Sequence, residues 1–230
     1  MADGSQQETN APRRRVLKQV TLVDTIYEKV RERLRRGEVA PNERLLDYQI
    51  ADEFGCTRMP VREALLRLVK DGQLVGTTRG FVIPRLSDKD VREIYEVRRL
   101  LEPAAAASTA TALSEDQLAA LSRIYKKAVR ACETRDAGAM VEASAEFRDI
   151  WLGAVENERL RTAIIQFAEH PQRIRLATLQ DNDAREIFVE GLRTLLDGFL
   201  TRDRKQIRAS LQKILLAAEQ HYFALSESED

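Results

Sequence analysis

Residues 56–70 read Cys-Thr-Arg-Met-Pro-Val-Arg-Glu-Ala-Leu-Leu-Arg-Leu-Val-Lys, and they are the most informative stretch of the chain. Thr57 is suited to cap a helix, and Pro60 is tolerated in a first helical turn, where its missing N–H needs no partner. Apolar residues follow at helical spacing, namely Val61, Leu65, Leu68 and Val69. Arg58 and Arg62 stand at the N-terminal end. Such an end can enter the DNA major groove, where arginine forms two hydrogen bonds to guanine O6 and N7. Taken alone, the stretch fits a surface helix with solvated arginines equally well.

The flanking residues favour the first interpretation. An amphipathic helix precedes the stretch and ends near Gly37, and its apolar positions are Val23, Ile26, Val30 and Leu34. A turn at Pro41-Asn42 leads to a short helix over Asp47 to Phe54. After the stretch, Gln73 to Val75 and Phe81 to Ile83 alternate like a hairpin with residues 77–80 at its tip. Three helices followed by a hairpin predict a winged helix-turn-helix.

This pattern resembles the GntR superfamily of bacterial transcription regulators. The matching motifs are Gly37–Leu45, Ile50–Gly55, Thr57–Leu65, Leu68–Gly72 and Arg79–Val82. One departure is Asn42, where the family usually has glycine. The second half resembles the FadR-like branch, which carries an all-helical FCD effector domain, most clearly over Leu86–Glu102 and more weakly over Phe147–Leu160 and the last helix.

From Ser87 onward the sequence predicts helices throughout. Ser87 with Asp90 and Ser114 with Gln117 form capping boxes that begin two of them. The first should run to about Glu102, where Pro103 predicts a kink or break. The other helices are expected over residues 114–135, 136–155, 157–179, 183–200 and 203–225. The result is a bundle of six or seven helices with room for a cavity between them.

The fold class is therefore expected to be mainly α, with an N-terminal winged helix-turn-helix and a C-terminal all-α helical bundle. The expected domains are a disordered basic tail over 1–19, a DNA-binding domain over 20–84 and an effector-binding and dimerisation domain over 87–226. In the tail, Arg13 to Arg15 either follow the DNA or remain solvated. The linker is expected at Pro84 to Leu86.

Composition agrees with a regulator located in the cytoplasm. The chain has 230 residues, only two cysteines and no apolar run of membrane-spanning length, and no signal peptide is visible at its start. Residues 13–86 hold 16 Lys and Arg against 10 Asp and Glu, whereas the segment from Ser87 holds 21 against 25. A basic first domain attracts DNA phosphates, and an acidic second domain limits non-specific binding.

The resemblance implies roles on DNA for individual residues. Arg58 and Arg62 are expected to read bases. Backbone contacts are expected from Thr57, Arg44 and Tyr48. Arg79 and Gly80 are expected to bring the wing to the minor groove, where a missing side chain allows close approach. One recognition helix reads only a half-site, so a homodimer on a pseudo-palindromic operator is expected.

Many FCD domains bind a divalent metal through one aspartate and three histidines. The corresponding positions in this chain are Ser144, Arg148, Leu192 and Ile214. Its only histidines are His170 and His221, and neither fits these positions. No metal and no other cofactor are therefore expected.

Arg148 would place a fixed cation where the family places its metal. A guanidinium can hold a carboxylate through two parallel hydrogen bonds. Arg98 matches an arginine of the family's first effector-domain helix and is expected to point into the same cavity, beside Ser144. The alternative is structural, with Arg148 paired to Glu102 or Glu146, or reaching solvent.

The leading hypothesis is a DNA-binding transcriptional regulator, expected to be a repressor, whose operator affinity responds to a small organic anion such as a carboxylate. One alternative is an effector-independent DNA-binding protein. Another is a ligand-binding protein or enzyme built on the helical domain. The near absence of histidine and of glycine-rich phosphate loops argues against an enzyme, and no catalytic residues are expected.

Overall fold

The computed structural model describes residues 20–40, 43–84, 86–168 and 178–226. Within them, the first domain contains helices α1 (Leu22–Arg35), α2 (Asp47–Glu53) and α3 (Arg58–Lys70), followed by strands β1 (Val75–Thr77) and β2 (Gly80–Val82). The basic tail and the turn at Pro41-Asn42 lie outside the described residues. The three helices and the small hairpin form the winged helix-turn-helix that the sequence predicted.

The helices of the first domain pack through their apolar faces, and α1 and α3 make the most extensive contact. Their core consists mainly of Ile26, Val30, Ile50, Val61, Leu65, Leu68 and Phe81. Helix α1 begins with a reciprocal capping box between Thr21 and Asp24, which satisfies two of the exposed backbone N–H groups at its start. The packing holds the N-terminal end of α3 at the surface.

The wing is shorter and shifted relative to the prediction. The strands pair antiparallel with Val75 opposite Val82 and Thr77 opposite Gly80, so only residues 78 and 79 form the tip. The predicted strand over Gln73 to Val75 was wrong, because Gln73 and Leu74 donate their N–H groups to the Leu68 carbonyl at the end of α3. A bridge between Leu45 and Phe81 attaches the wing to the segment before α2.

The second domain contains six helices in its described residues. They are α4 (Asp88–Ser108), α5 (Glu115–Glu133), α6 (Ala137–Gly153), α7 (Glu158–Ala168), α8 (Asn182–Leu200) and α9 (Arg204–Ser226). Both predicted capping boxes are present, at the starts of α4 and α5. The helix expected over 157–179 begins as predicted, and residues 169–177 of it lie outside the described ranges.

The predicted break at Pro103 was wrong, since α4 continues through this residue to Ser108. Pro103 removes one backbone hydrogen bond, to the Arg99 carbonyl four residues earlier. It is buried, and α4 packs along α9 and α7. Arg99 is also bonded to Glu219 of α9. The packing of α4 against α9 and α7 therefore supports a helix that is continuous through Pro103.

The helices of the second domain enclose one large core. Its fully buried members include Tyr95, Met140, Phe147, Trp151, Leu195 and Phe199. No helix in the described ranges has the length and apolar character needed to cross a membrane.

Candidate DNA-binding surface and effector cavity

The N-terminal end of α3 presents two arginines to solvent. The side chains of Arg58 and Arg62 are 64% and 59% exposed, and they flank the carboxylate of Asp47, which is only 10% exposed. Arg58 donates from Nη2 at 2.7 Å and from Nε at 3.2 Å to Asp47 Oδ1. Arg62 Nη1 lies 3.5 Å from the other carboxylate oxygen. One acidic group thus fixes the directions of both arginines.

Asp47 occupies its place because it is the first residue of α2. A carboxylate is favourable at a helix start, where the backbone N–H groups carry partial positive charge. Desolvating it would be costly without the two guanidinium groups nearby. Sequence analysis missed Asp47 as a member of this candidate surface, although a carboxylate in the first turn of the predicted short helix was visible in the sequence.

Three other residues expected to contact DNA lie before α2, in α2 and just before α3. Arg44, Tyr48 and Thr57 are all exposed. Thr57 is the residue before α3 and has extended backbone angles, but its hydroxyl makes no capping hydrogen bond. Thr57 therefore occupies the predicted capping position, but its hydroxyl oxygen does not accept the capping hydrogen bond.

The wing places Arg79 at an exposed tip. Gly80 has φ +115°, and a Cβ there would lie 2.7 Å from Leu46 Cδ2 and 2.8 Å from the Leu45 carbonyl oxygen. Glycine is thus required for packing within the domain, in addition to the close approach to DNA that the sequence suggested. The Arg79 backbone N–H donates to Thr77 Oγ1 at 3.2 Å, which helps to fix the tip.

A cavity of about 80 Å³ lies inside the helical domain between α4, α6, α8 and α9. All four positions aligned with the family's metal ligands line it: Ser144, Arg148, Leu192 and Ile214. Arg98 lines it as well. The structure thus brings together the three residues singled out from the sequence as candidate effector contacts.

Arg98 and Glu102 form an ion pair within α4 at the cavity wall. Arg98 Nε donates to Glu102 Oε1 at 2.5 Å, and the two side chains are 4% and 2% exposed. Burial alone would lower the pKa of the Arg98 guanidinium, but the Glu102 carboxylate and Tyr95 outweigh it and raise the pKa. The Arg98 guanidinium is therefore charged at neutral pH.

Arg148 is buried at the cavity wall and does not reach solvent. Its Nη1 donates to the Ala168 carbonyl oxygen at 3.2 Å, and Nη2 lies 3.6 Å from Asp149 Oδ1. The two carboxylates considered as its structural partners are engaged elsewhere, Glu102 with Arg98 and Glu146 with Lys127. The predicted pairing of Arg148 with Glu102 or Glu146 was therefore wrong, and the carboxylate beside Arg148 is that of Asp149.

The cavity does not fit the divalent metal found in many FCD domains. Of the four aligned positions, Leu192 and Ile214 carry no donor atom, Arg148 is a cation, and Ser144 offers only a neutral hydroxyl. Within the described residues no group of three His, Cys, Asp or Glu side chains could hold a metal ion.

Two residues of the cavity lining were missed from the sequence. Glu102 follows Arg98 by four residues, and His221 follows Ile214 by seven, so each shares a helix face with a residue already aligned to the site. His221 lines the cavity, at a position other than the four aligned with the family's metal ligands. His170 lies outside the described residues.

Comparison with known proteins gives matches for both domains. The model of the bacterial regulatory proteins of the gntR family matches residues 22–80, and the FCD domain model matches residues 93–217.

An uncharacterized HTH-type transcriptional regulator, YdhC of Bacillus subtilis, is 30% identical over 141 residues, covering 60% of this chain and 62% of its own length. The gluconate operon transcriptional repressor of the same species is 37% identical over 91 residues, covering 40% of this chain and 37% of its own length. The alignments thus span less than two thirds of these two relatives.

Among solved structures, Escherichia coli McbR/YncC is similar along its whole length. It superimposes with a TM-score of 0.78 and 25% sequence identity, covering 92% of this chain and 100% of the other.

A winged helix-turn-helix followed by a helical bundle with an internal cavity defines a two-domain protein of the bacterial regulator class. The chain belongs to the GntR family of bacterial regulatory proteins, in the group that carries an FCD domain.

Proposed function

We propose that the protein is a transcriptional regulator, and specifically a repressor, that binds operator DNA through the N-terminal end of α3. The arrangement of Arg58 and Arg62 around Asp47 carries this proposal. Two exposed guanidinium groups with fixed directions at the start of a recognition helix suit the bidentate contact with guanine. The gluconate operon transcriptional repressor, which is similar over 91 residues, is named as a repressor, and this name supports repression.

Affinity in this proposal comes from the surrounding residues. Arg44, Tyr48 and Thr57 contact the phosphate backbone beside α3, and Arg79 at the wing tip reaches the minor groove. These contacts set the position of the domain on DNA but carry little sequence information. The regulator acts as a homodimer in the cytoplasm, since each recognition helix covers one half-site.

The proposal is tested by selecting bound DNA from a random pool and then measuring variants on the selected operator. Arg62→Ala is expected to weaken specific binding by about 1–3 kcal/mol and to relax base preference at one position of each half-site, as is Arg58→Ala. Arg67→Ala is the matched control, because Arg67 lies on the same helix and bonds Asp24 of α1. Unchanged base preference in both Arg58→Ala and Arg62→Ala would contradict the proposal.

The cavity favours a second function in the same protein, the binding of an effector. A small organic anion would be held by the Arg148 guanidinium, with Arg98 and the Ser144 hydroxyl beside it. Helix α4 offers a route to the DNA-binding domain, because it begins at Asp88, three residues after Arg85 of the proposed linker, and carries Arg98 at the cavity. An anion that changes the position of α4 would change the placement of the DNA-binding domains in the dimer.

Measuring operator binding with and without small carboxylates distinguishes an effector-responsive regulator from an effector-independent DNA-binding protein. A change of affinity with one class of acid supports an effector-responsive regulator. No change with any acid, while operator binding persists, supports an effector-independent DNA-binding protein. If the wild-type protein selects no DNA sequence from the pool, the effector-responsive and the effector-independent regulator are both contradicted. A ligand-binding protein built on the helical domain would then remain.

A further inference from the structure

We infer that Met59 reads the C5-methyl group of a thymine in each half-site of the operator. The inference rests on the proposed binding of DNA by the N-terminal end of α3 and adds a specificity-determining residue to it. It follows from the position of Met59 beside Arg58 and Arg62, from its exposure and from the chemistry of its side chain.

Met59 lies in the first turn of α3, at the second residue of the helix. Arg58 precedes it, and Arg62 follows three residues later. Residues three apart lie on the same side of a helix, with their Cβ atoms about 5–6 Å apart. Met59 and Arg62 therefore share the side of the helix start that the proposed function places in the major groove.

Met59 is not part of the core of the first domain. The residue is 75% exposed, and no large apolar residue in the described ranges is more exposed. The core side of α3 is formed by Val61, Ala64, Leu65 and Leu68. Met59 belongs neither to that core nor to the partly buried apolar residues packed against it. Single exposed apolar residues are common on protein surfaces, so this exposure matters because it occurs between the two arginines at the start of the helix.

The methionine side chain matches one feature of the major groove. Every base presents hydrogen-bonding groups there, and thymine also presents its C5-methyl group. Met59 has no hydrogen-bond donor and only a weakly accepting sulfur, so it would form no strong hydrogen bond with a polar base edge. The thymine methyl group, in contrast, leaves water when the thioether packs against it. Burial of one group of this size corresponds to about a fourfold gain in affinity.

The structure around Met59 limits which base pair it can reach. Pro60 follows it with a fixed φ, and Arg58 on its other side bonds Asp47 at 2.7 Å. The unbranched methionine side chain can still adjust to the position of a methyl group. Successive bases of a strand are about 3.4 Å apart, so the separation between Met59 and Arg62 corresponds to roughly one or two base pairs. The thymine is therefore expected one or two base pairs from the guanine read by Arg62.

The test uses the full-length protein and the operator selected from a random pool. Each thymine in turn is replaced by deoxyuridine in both half-sites, which removes the C5-methyl group and keeps the base pairing. At one symmetric position, affinity is expected to fall about fourfold per half-site. This position should lie within about two base pairs of the one at which Arg62→Ala relaxes base preference.

The reverse comparison restores the methyl group on a different base. The sensitive thymine is replaced by cytosine and, separately, by 5-methylcytosine, each paired with guanine. The methylated operator should bind the wild-type protein about fourfold per half-site more tightly than the unmethylated one.

Variants of Met59 decide whether the methyl group acts through this side chain. In Met59→Ala the effect of deoxyuridine should disappear, whereas Met59→Leu should retain most of it, because leucine has a similar apolar volume. Leu66→Ala is the matched control, since Leu66 is 51% exposed on the same helix but lies about 10 Å further from its start. It should leave the deoxyuridine effect unchanged. Melting curves followed by circular dichroism show that the variants are folded.

A spectroscopic measurement observes the contact itself. The chain contains three methionines, and isotopic labelling of their methyl groups gives one nuclear magnetic resonance signal for each. The Met59 signal, assigned with Met59→Leu, should shift on addition of the operator and shift less with the deoxyuridine operator. The signal of Met140, which is buried in the second domain, should be the same with both operators.

Two results would overturn the inference and leave the proposed function intact. One is an operator without a deoxyuridine-sensitive thymine near the Arg62 position, while Arg58→Ala and Arg62→Ala still relax base preference. The other is a sensitive thymine whose effect is equal in wild type and Met59→Ala, since the methyl group would then act through DNA shape or another residue. Failure of the wild-type protein to select any DNA sequence would overturn the inference together with the proposed function.

Discussion

A single carboxylate, that of Asp47, contacts both exposed arginines at the start of α3, the proposed recognition helix. Long arginine side chains at a helix start would otherwise sample many rotamers, and ordering them on DNA would cost conformational entropy. Under the proposed function, the Asp47 contacts would restrict Arg58 and Arg62 before they bind DNA. The same carboxylate also offsets positive charge, so it lowers the general attraction for phosphates. Asp47 is thus expected to favour specific over non-specific binding.

Replacing Asp47 tests this balance directly. Asp47→Ala is expected to increase affinity for random-sequence DNA severalfold, because one negative charge leaves the surface, and to reduce the ratio of operator to random-sequence affinity about tenfold. Fluorescence anisotropy at two salt concentrations measures both quantities. The control is Asp52→Ala, which removes the same charge from an exposed position of the same helix. An unchanged affinity ratio in Asp47→Ala would show that the carboxylate does not orient the arginines for base contact.

The residues of the cavity give a second prediction, on metal content. Because Leu192 and Ile214 have no donor atoms and Arg148 is cationic, the purified protein is expected to contain less than one equivalent of zinc, nickel or manganese. Dialysis against a chelator should leave the melting temperature and operator affinity unchanged, since metal is neither a structural nor a sensing element. Elemental analysis that finds one bound metal per chain, lost together with stability on chelation, would contradict this.

At the scale of single elements, capping determines where the helices of the second domain begin. Ser87 and Asp90 bond reciprocally at the start of α4, with the Ser87 backbone N–H donating to Asp90 Oδ2 at 2.8 Å. Bonds from the side chain and then from the backbone of Ser87 hold the pKa of the Asp90 carboxyl below its ordinary value of 3.8. The capping box therefore stabilises the folded protein only while Asp90 is ionised.

A pH dependence follows for variants of this cap. Ser87→Ala is expected to cost about 1 kcal/mol of stability at pH 7. Asp90→Asn should also destabilise at pH 7. Since the folded pKa is depressed, the contribution of Asp90 is complete above its unfolded pKa near 4 and is lost as pH falls through the folded value. The difference between wild type and Asp90→Asn should therefore shrink below about pH 4.

Urea unfolding followed by fluorescence measures this effect in the second domain, because Trp151 is the only tryptophan of the chain and lies in its core. Asp116→Asn serves as the control, since Asp116 is an exposed acid in the first turn of α5 where Gln117 forms the capping bond. A gap between wild type and Asp90→Asn that stays constant with pH would exclude the capping explanation.

The elements also show what the sequence could and could not predict. Helix starts at Ser87 and Ser114 were predicted correctly because capping depends on residues three apart. The strands of the wing were misplaced, since the backbone of Gln73 bonds to the end of α3 and not to a strand partner. The continuous α4 depends on packing around Pro103, which no local pattern records. The cavity positions followed from the resemblance, but the roles of Asp47, Glu102 and His221 required three-dimensional contacts.

At the scale of the whole molecule, α9 connects the cavity to the first turns of α4. Helix α9 carries His221 and Ile214 at the cavity, and near its end Tyr222 and Phe223 contact the first turns of α4. Arg92 of α4 stacks over the Phe223 ring at 3.9 Å. A ligand that separates α8 from α9 would thus act on the beginning of α4, next to the linker. Such a displacement of α4 could shift an equilibrium between two placements of the DNA-binding domains.

The proposed dimer gives the prediction that depends on the whole assembly. Two recognition helices in a two-fold dimer can read a palindromic operator only if its half-sites face the same side of the duplex. Inserting five base pairs at the centre of the selected operator turns one half-site by about half a helical turn. Affinity should then fall to that of an isolated half-site, while the same insertion outside the operator should have no effect. Sedimentation of the protein with operator should give two chains per duplex. Unchanged affinity for the centrally extended operator, with one chain bound per half-site independently, would show that the dimer is not the form that recognises DNA.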